Sequence, residues 1–165
     1  MGRELAFAVD MTPMGKERHR AYIGDDGKLH TYPATRTVNA EAEIRAAFRR
    51  AYPRHAPHEG PVELYVVATI VPPMSWPKWK RALALLNLWR CTVKPDWDNI
   101  GKMTDALSKI AYHDDAQVFD GRVRKEYGDV PRLLVRMRLF DQPTRADFKV
   151  IEPSLSRLET PEAAS

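Results

Sequence analysis

"KPDWDNIGKMTDALSKIAYHDD" occupies residues 94–115 and decides how the rest of the chain is read. It holds Asp96, Asp98, Asp114 and Asp115, with Lys102 between the two pairs. Carboxylates brought close together repel, and each destabilises the ionised form of the other. Either the chain keeps them apart in water, or something positive belongs among them. Asp98 and Asn99 are both good N-cap residues, so the spacing predicts a helix running roughly from 99 to 111. On that helix Ile100, Met103, Leu107 and Ile110 share one face, and Asp98, Lys102, Asp105 and Lys109 lie opposite. The charged stripe therefore points away from the core. Asp96 and Asp98 are two apart in the lead-in, and share a side if that segment is extended. Asp114 and Asp115 follow the helix; spacing alone leaves open whether they return to the first pair.

If they return, three or four carboxylates meet one lysine. All-oxygen ligand sets suit hard cations such as Mg2+, with Mn2+ as a substitute, and such ions complete their shells with water and substrate phosphates. Lys102, one turn beyond Asp98, is then placed to donate to a phosphate or to help activate a water. The competing reading is a salt-bridged, solvated helix stripe, with Asp114–Asp115 as a simple turn and His113 as a surface histidine.

Working outward, 165 residues make one domain with a real core. The 44% hydrophobic and 29% charged content is that of a globular chain and excludes wholesale disorder. Cys91 is the only cysteine, which excludes an internal disulfide and favours a reducing compartment. No apolar run reaches the roughly 20 residues that span a bilayer, and "MGRELAFAVDM" alternates where a signal peptide would run apolar. A cytoplasmic location, with no membrane partner, is expected.

The net charge of +4 is unevenly spread. Lys78, Lys80, Arg81, Arg90 and Lys94 lie between Leu64 and Pro95 without one acid, whereas Asp96–Asp129 carries eight acids against five bases. A second basic knot, "GKERHR", holds Lys16, Arg18 and Arg20. Basic patches beside an acidic cluster suggest a polyanion held next to a cation; an ordinary solvated surface is the alternative. Lys16, Arg18, Arg20 and Lys94 are the candidate phosphate contacts. Trp76, Trp79 and Trp89 either stack on bases or pack in the core, and packing is the expectation.

Strands are expected at 5–11, 61–71, 117–127 and 132–139 from apolar alternation or Val/Ile content. A long basic loop or loose hairpin fills 12–33, and a helix with Ala40, Ile44, Ala47, Phe48 and Ala51 on one face fills 35–52. Ser75 is expected to cap a short helix carrying Trp76, Trp79 and Leu83. Residues 141–165 read as a loose tail. The order predicts a single α+β domain, its mixed or antiparallel sheet packed with two to three helices.

"KPDWDNIGKMTDAL…YHDDAQV" closely resembles the signature of the RusA family of Holliday junction resolvases. "SWPKWKR" at 75–81, the "K-x-Y-G" pattern at Lys125–Gly128 and "LHTYPATRTV" at 29–38 agree with it. The resemblance spans about residues 5–140, making 1–140 the nuclease domain and 141–165 a tail outside it. It implies a RusA-like fold and a homodimeric, Mg2+-dependent endodeoxyribonuclease that resolves four-way DNA junctions by paired symmetric nicks, in recombination and repair. No small-molecule cofactor is implied. Residue by residue, the catalytic acids fall on Asp96, Asp98 and Asp115 and the essential lysine on Lys102, with Asp114 a further metal ligand. Gly101 departs from the pattern, standing where a larger residue is usual. A broader nuclease for flaps and other branched DNA, or a catalytically silent junction-binding module, are the alternatives.

Overall fold

The structure, a computed structural model, describes residues 2–155, with side chains through residue 150. The first strand, β1 (Arg3–Val9), alternates exposed and buried side chains along its length, as its period-2 sequence requires. The basic stretch after it is a hairpin, β2 (Arg20–Ile23) and β3 (Leu29–Tyr32), paired antiparallel and exposed throughout. The first helix, α1 (Thr35–Ala51), buries Thr37, Ala40, Ile44, Ala47 and Phe48. Ala51, expected on that face, is exposed in the last turn.

Strand β4 (Val62–Ile70) is one of the two inner strands of the sheet. After it come α2 (Lys78–Leu85), α3 (Trp97–Gly101) and a 3-10 turn, Lys102–Leu107. A second 3-10 turn, Asp115–Gln117, leads into β5 (Val118–Tyr127), followed by β6 (Arg132–Leu139). The four-stranded sheet runs β1-β6-β4-β5, with β4 and β5 parallel and the other neighbours antiparallel. The sheet is mixed. Parallel neighbours need a crossover of a dozen or more residues, and residues 71–117 are that crossover. Its helical part is laid over the sheet, so topology itself puts the aspartates against β5.

One face of the sheet carries the core. Leu5, Phe7 and Val9, then Val62, Leu64, Val66 and Ala68, then Leu133, Val135, Met137 and Leu139 pack with α1 and with Ile100, Met103 and Leu107. Phe48 meets Phe7 edge-on, ring centres 5.5 Å apart. The Tyr52 hydroxyl accepts from the Ala6 amide at 2.7 Å and donates to its carbonyl at 2.8 Å, which closes part of the free edge of β1.

Three expectations change. The motif helix is not one α-helix to residue 111. The Thr104 hydroxyl donates to the Gly101 carbonyl at 2.6 Å, the chain tightens to 3-10 geometry, and regular helix ends at Leu107. Ser75 does not cap α2, whose N-cap is Pro77. The tail expected to be loose contains α4 (Arg145–Leu155), because Thr144 and Asp147 cap it reciprocally: the carboxylate accepts from the Thr144 amide at 2.7 Å. The remainder of that tail, 156–165, lies outside the described residues. Among the described residues no helix is long and apolar enough to cross a membrane.

Candidate active site

The lead-in to the motif is extended at Asp96, the N-cap of α3, as φ −69° and ψ 146° show. Lys125 on β5 pins it there, its ammonium donating to the carbonyls of Val93 and, at 3.0 Å, Pro95. This gives the lysine of the K-x-Y-G pattern a structural task. Its glycine has another: a Cβ on Gly128 would stand 2.4 Å from Thr69 Cγ2, so only glycine lets β5 end this close to β4.

From α3 onward the charged stripe borders a cleft of about 290 Å³ between the motif and β5. Asp98, Lys102 and Asp105 line it from the motif, Asp115 from the following turn and Arg122 from β5, over a floor that includes Val66 and Val123. Lys102 Nζ donates to Asp98 Oδ2 at 3.1 Å and to Asn99 Oδ1 at 3.4 Å. That bond from Lys102 holds the Asp98 carboxyl below the usual carboxylate range.

Beneath the cleft Tyr112 is fully buried, its hydroxyl donating to the Thr104 carbonyl at 3.2 Å. Burial, then the Asp105 charge, push its phenol up to about 12; Asp115 adds to the rise and the Thr104 bond opposes it. Asp105 and Asp115 thus act on the same phenol from different segments of the chain. Neither Tyr112 nor the cleft position of Asp105 was anticipated from sequence. The single available signal was Asp105's place on the Asp98–Lys102 stripe.

The remaining candidates lie elsewhere. Asp96 borders an adjoining groove with Asn99, Lys94, Lys16 and Arg36. Asp114, expected among the metal ligands, caps the second 3-10 turn. Its carboxylate accepts from the Ala116 amide at 3.0 Å and stands 3.8 Å from Lys109, and the amide bond in particular lowers its pKa. Gln117 completes this cap by accepting from the Asp114 amide at 2.8 Å, and its own amide donates to His58 and Gly60 carbonyls. His113 is a surface histidine, 2.9 Å from Glu59. Among the described residues no three acidic, histidine or cysteine side chains stand together closely enough to hold an ion. Asp98, Asp105 and Asp114 are instead partnered by three separate lysines, Lys102, Lys16 and Lys109.

Lys16 is one of those lysines. Its ammonium donates to Asp105 at 2.9 Å and lies 3.3 Å from Glu41 on α1. Burial alone would lower its pKa, but these two carboxylates more than offset that and raise it. The loop carrying it docks on the motif through Gly15, where a Cβ would sit 2.7 Å from Asn99 Cβ, and through the Lys16 amide, 3.0 Å from the Asn99 carbonyl. Lys16 ties α1 to the motif and is committed to that task. Arg18, Arg20 and Lys94 are exposed.

A model of the family described as "Endodeoxyribonuclease RusA" matches residues 10–138, which contain β4, β5, all but the last residue of β6 and the whole cleft. The chain belongs to the RusA endodeoxyribonuclease family. It is 32% identical, over 140 residues, to the Bacillus subtilis (strain 168) protein named "Uncharacterized protein YqaN", the alignment covering 81% of this chain and 95% of the relative. The cleft therefore belongs to a nuclease of the Holliday junction resolvase type, and RusA nucleases generally depend on a divalent metal. The chemistry of the donors fits that dependence. Asp98, Asp105 and Asp115 offer only oxygen, the ligand type hard cations take.

Proposed function

We propose that this RusA-family nuclease is a Mg2+-dependent, structure-selective endonuclease that resolves four-way junctions by paired symmetric nicks, in recombination and repair, as a homodimer. The observation that carries the reading is that Asp98 on α3, Lys102 on the 3-10 turn after it and Asp115 on the turn before β5 line one cleft of a family that cuts DNA. Asp98 and Asp115 in the cleft, with Asp96 at the head of the same helix, would supply the carboxylate oxygens for Mg2+. When bound, the ion supplies charge for the scissile phosphate and the departing oxygen. Lys102 keeps Asp98 ionised and holds a second positive charge at the cleft, where it orients a phosphate oxygen. Arg18, Arg20 and Lys94 carry the flanking backbone. Two symmetric cuts need two centres, and the described residues form one such cleft, so a two-fold dimer follows.

The test is a labelled four-way junction incubated with Mg2+, with Mn2+ or with EDTA, beside a flap and a linear duplex. The parent cuts the junction only with metal. Asp96→Asn, Asp98→Asn and Asp115→Asn each lose cleavage while binding the junction in EDTA at least as tightly as the parent, because each loses a negative charge facing phosphate. Cleavage surviving in Asp98→Asn or Asp115→Asn at ordinary Mg2+ would sink the assignment.

A further inference from the structure

Between β4 and the motif the chain builds a lobe that the core does not explain. Helix α2 buries only Ala84. Around it Met74 is 76% exposed, Trp79 60%, Leu86 69% and Leu88 68%; of the tryptophans expected to pack inside, Trp79 and Trp89 are exposed and Trp76 is half-buried. They are nonetheless ordered by one another. A run of edge-to-face rings starts from buried Tyr127, passes to Trp76 at 5.5 Å and to Trp89 at 6.4 Å, and ends on Trp79 at 6.1 Å. Lys80 sits over two of these rings, 3.8 Å from the centre of Trp76 and 4.6 Å from that of Trp89. The other charges of the lobe are also basic. Among the described residues Lys78, Arg81 and Arg90 form no ion pair with a carboxylate.

An apolar surface rimmed by unpaired cations and free of acids needs a partner that is flat and apolar in places and anionic in others. Exposed base faces with flanking phosphates have that chemistry. The lobe also joins the site directly: residues 91–95 lead from it to Asp96, held by the bonds from Lys125. We propose that this lobe receives unstacked bases at the branch point, with Trp79 as the outermost stacking ring and Lys78, Arg81 and Arg90 on the adjoining phosphates. The proposal rests on branched DNA being the substrate. It goes further by assigning the choice of branched over linear DNA to the lobe, because an intact duplex keeps its base faces stacked and offers Trp79 nothing to cover.

The test uses the full chain in EDTA, so that binding is read without cutting. Trp79→Ala and Trp79→Phe are compared with the parent by fluorescence anisotropy on a four-way junction and on a linear duplex of equal length. Trp79 is exposed and outside the core, so Ala leaves the fold intact, which circular dichroism checks. Loss of one stacked base should weaken junction binding about ten-fold or more in the Ala variant, with duplex binding changed by less than about two-fold and Phe restoring most of the loss. Equal losses on both DNAs, or none on the junction, overturn the lobe's role. So does a vesicle of anionic lipid that binds the parent through Trp79 while junction binding is indifferent to it. A parent that neither binds nor cuts junctions overturns the substrate reading instead, so the two failures are distinct.

Discussion

Lys102 offers the sharpest separation of chemistry from folding. Its ammonium is on the rim of the cleft, 3.1 Å from Asp98, and its side chain is 55% exposed against 47% for its partner. A pair this open to water contributes little to stability, so Lys102→Ala should shift the melting temperature by no more than about 2 °C. One position along, the stripe turns inward: Met103 is 1% exposed in the core cluster. Met103→Ala should cost about 2–5 kcal/mol, from lost burial plus the cavity left behind, and lower the melting temperature by roughly 5–15 °C. On activity the order reverses. A positive charge aimed at a reacting phosphate is worth about 100- to 1000-fold, so Lys102→Ala should cut single-turnover junction cleavage by that factor, whereas folded Met103→Ala should keep most of its rate. The Asp98 titration supplies a further readout. Its folded pKa is depressed chiefly by the Lys102 hydrogen bond, so the pair's contribution is present above the unfolded carboxylate pKa and lost as pH falls through the depressed value. In Lys102→Ala the Asp98 carboxyl should therefore titrate at higher pH, as carboxyl-carbon NMR would record. Cleavage within a few-fold of the parent, or a large drop in melting temperature, would refute the reasoning.

Other outcomes follow from the same geometry. Arg18→Ala with Arg20→Ala should weaken junction binding and flatten its salt dependence, whereas Lys16→Ala should chiefly destabilise the fold, because Asp105 and Glu41 lose their shared cation; a salt slope that moves only with Lys16 would reverse this assignment. Tyr112 has its pKa raised to about 12, so stability should fall as pH climbs from the ordinary tyrosine value towards that figure, and alkaline unfolding should be shallower in Tyr112→Phe. That variant also leaves the Thr104 carbonyl without its donor, for a loss of about 1 kcal/mol at neutral pH by urea melts. Gly101 has ordinary helical angles, φ −54° and ψ −44°, and an added Cβ meets Val123 Cγ2 at 3.4 Å. Gly101→Ala should therefore stabilise by about 0.4–1 kcal/mol through the unfolded chain; a lower melting temperature would mean that this contact is too tight to keep.

What was legible in the sequence was periodic. Alternation placed β1 and β6, the 3.6-residue stripe placed α1, and Ile100, Met103 and Leu107 turned inward as their spacing required. What was not legible depends on partners that periodicity does not name. Asp114–Asp115 reads equally as two ligands or as a turn, and only Gln117, bonded across to His58 and Gly60, decides that Asp114 caps the turn while Asp115 lines the cleft. Lys16 looked like the other bases of its loop until Glu41 and Asp105, far apart in the chain, were seen to enclose it. The cap of α4 was written in Thr144-x-x-Asp147, but the Pro- and Ser-containing composition around it pointed to a coil. The tryptophans show the limit most clearly. Apolar residues at helical spacing state that a face wants cover, not that this chain supplies it. In α1 the sheet supplies it, and Phe48 meets Phe7; in α2 nothing among the described residues covers Trp79. A hydrophobic stripe that finds no cover among the described residues points to a partner, and its unpaired basic rim is what the proposed nucleic-acid partner would meet.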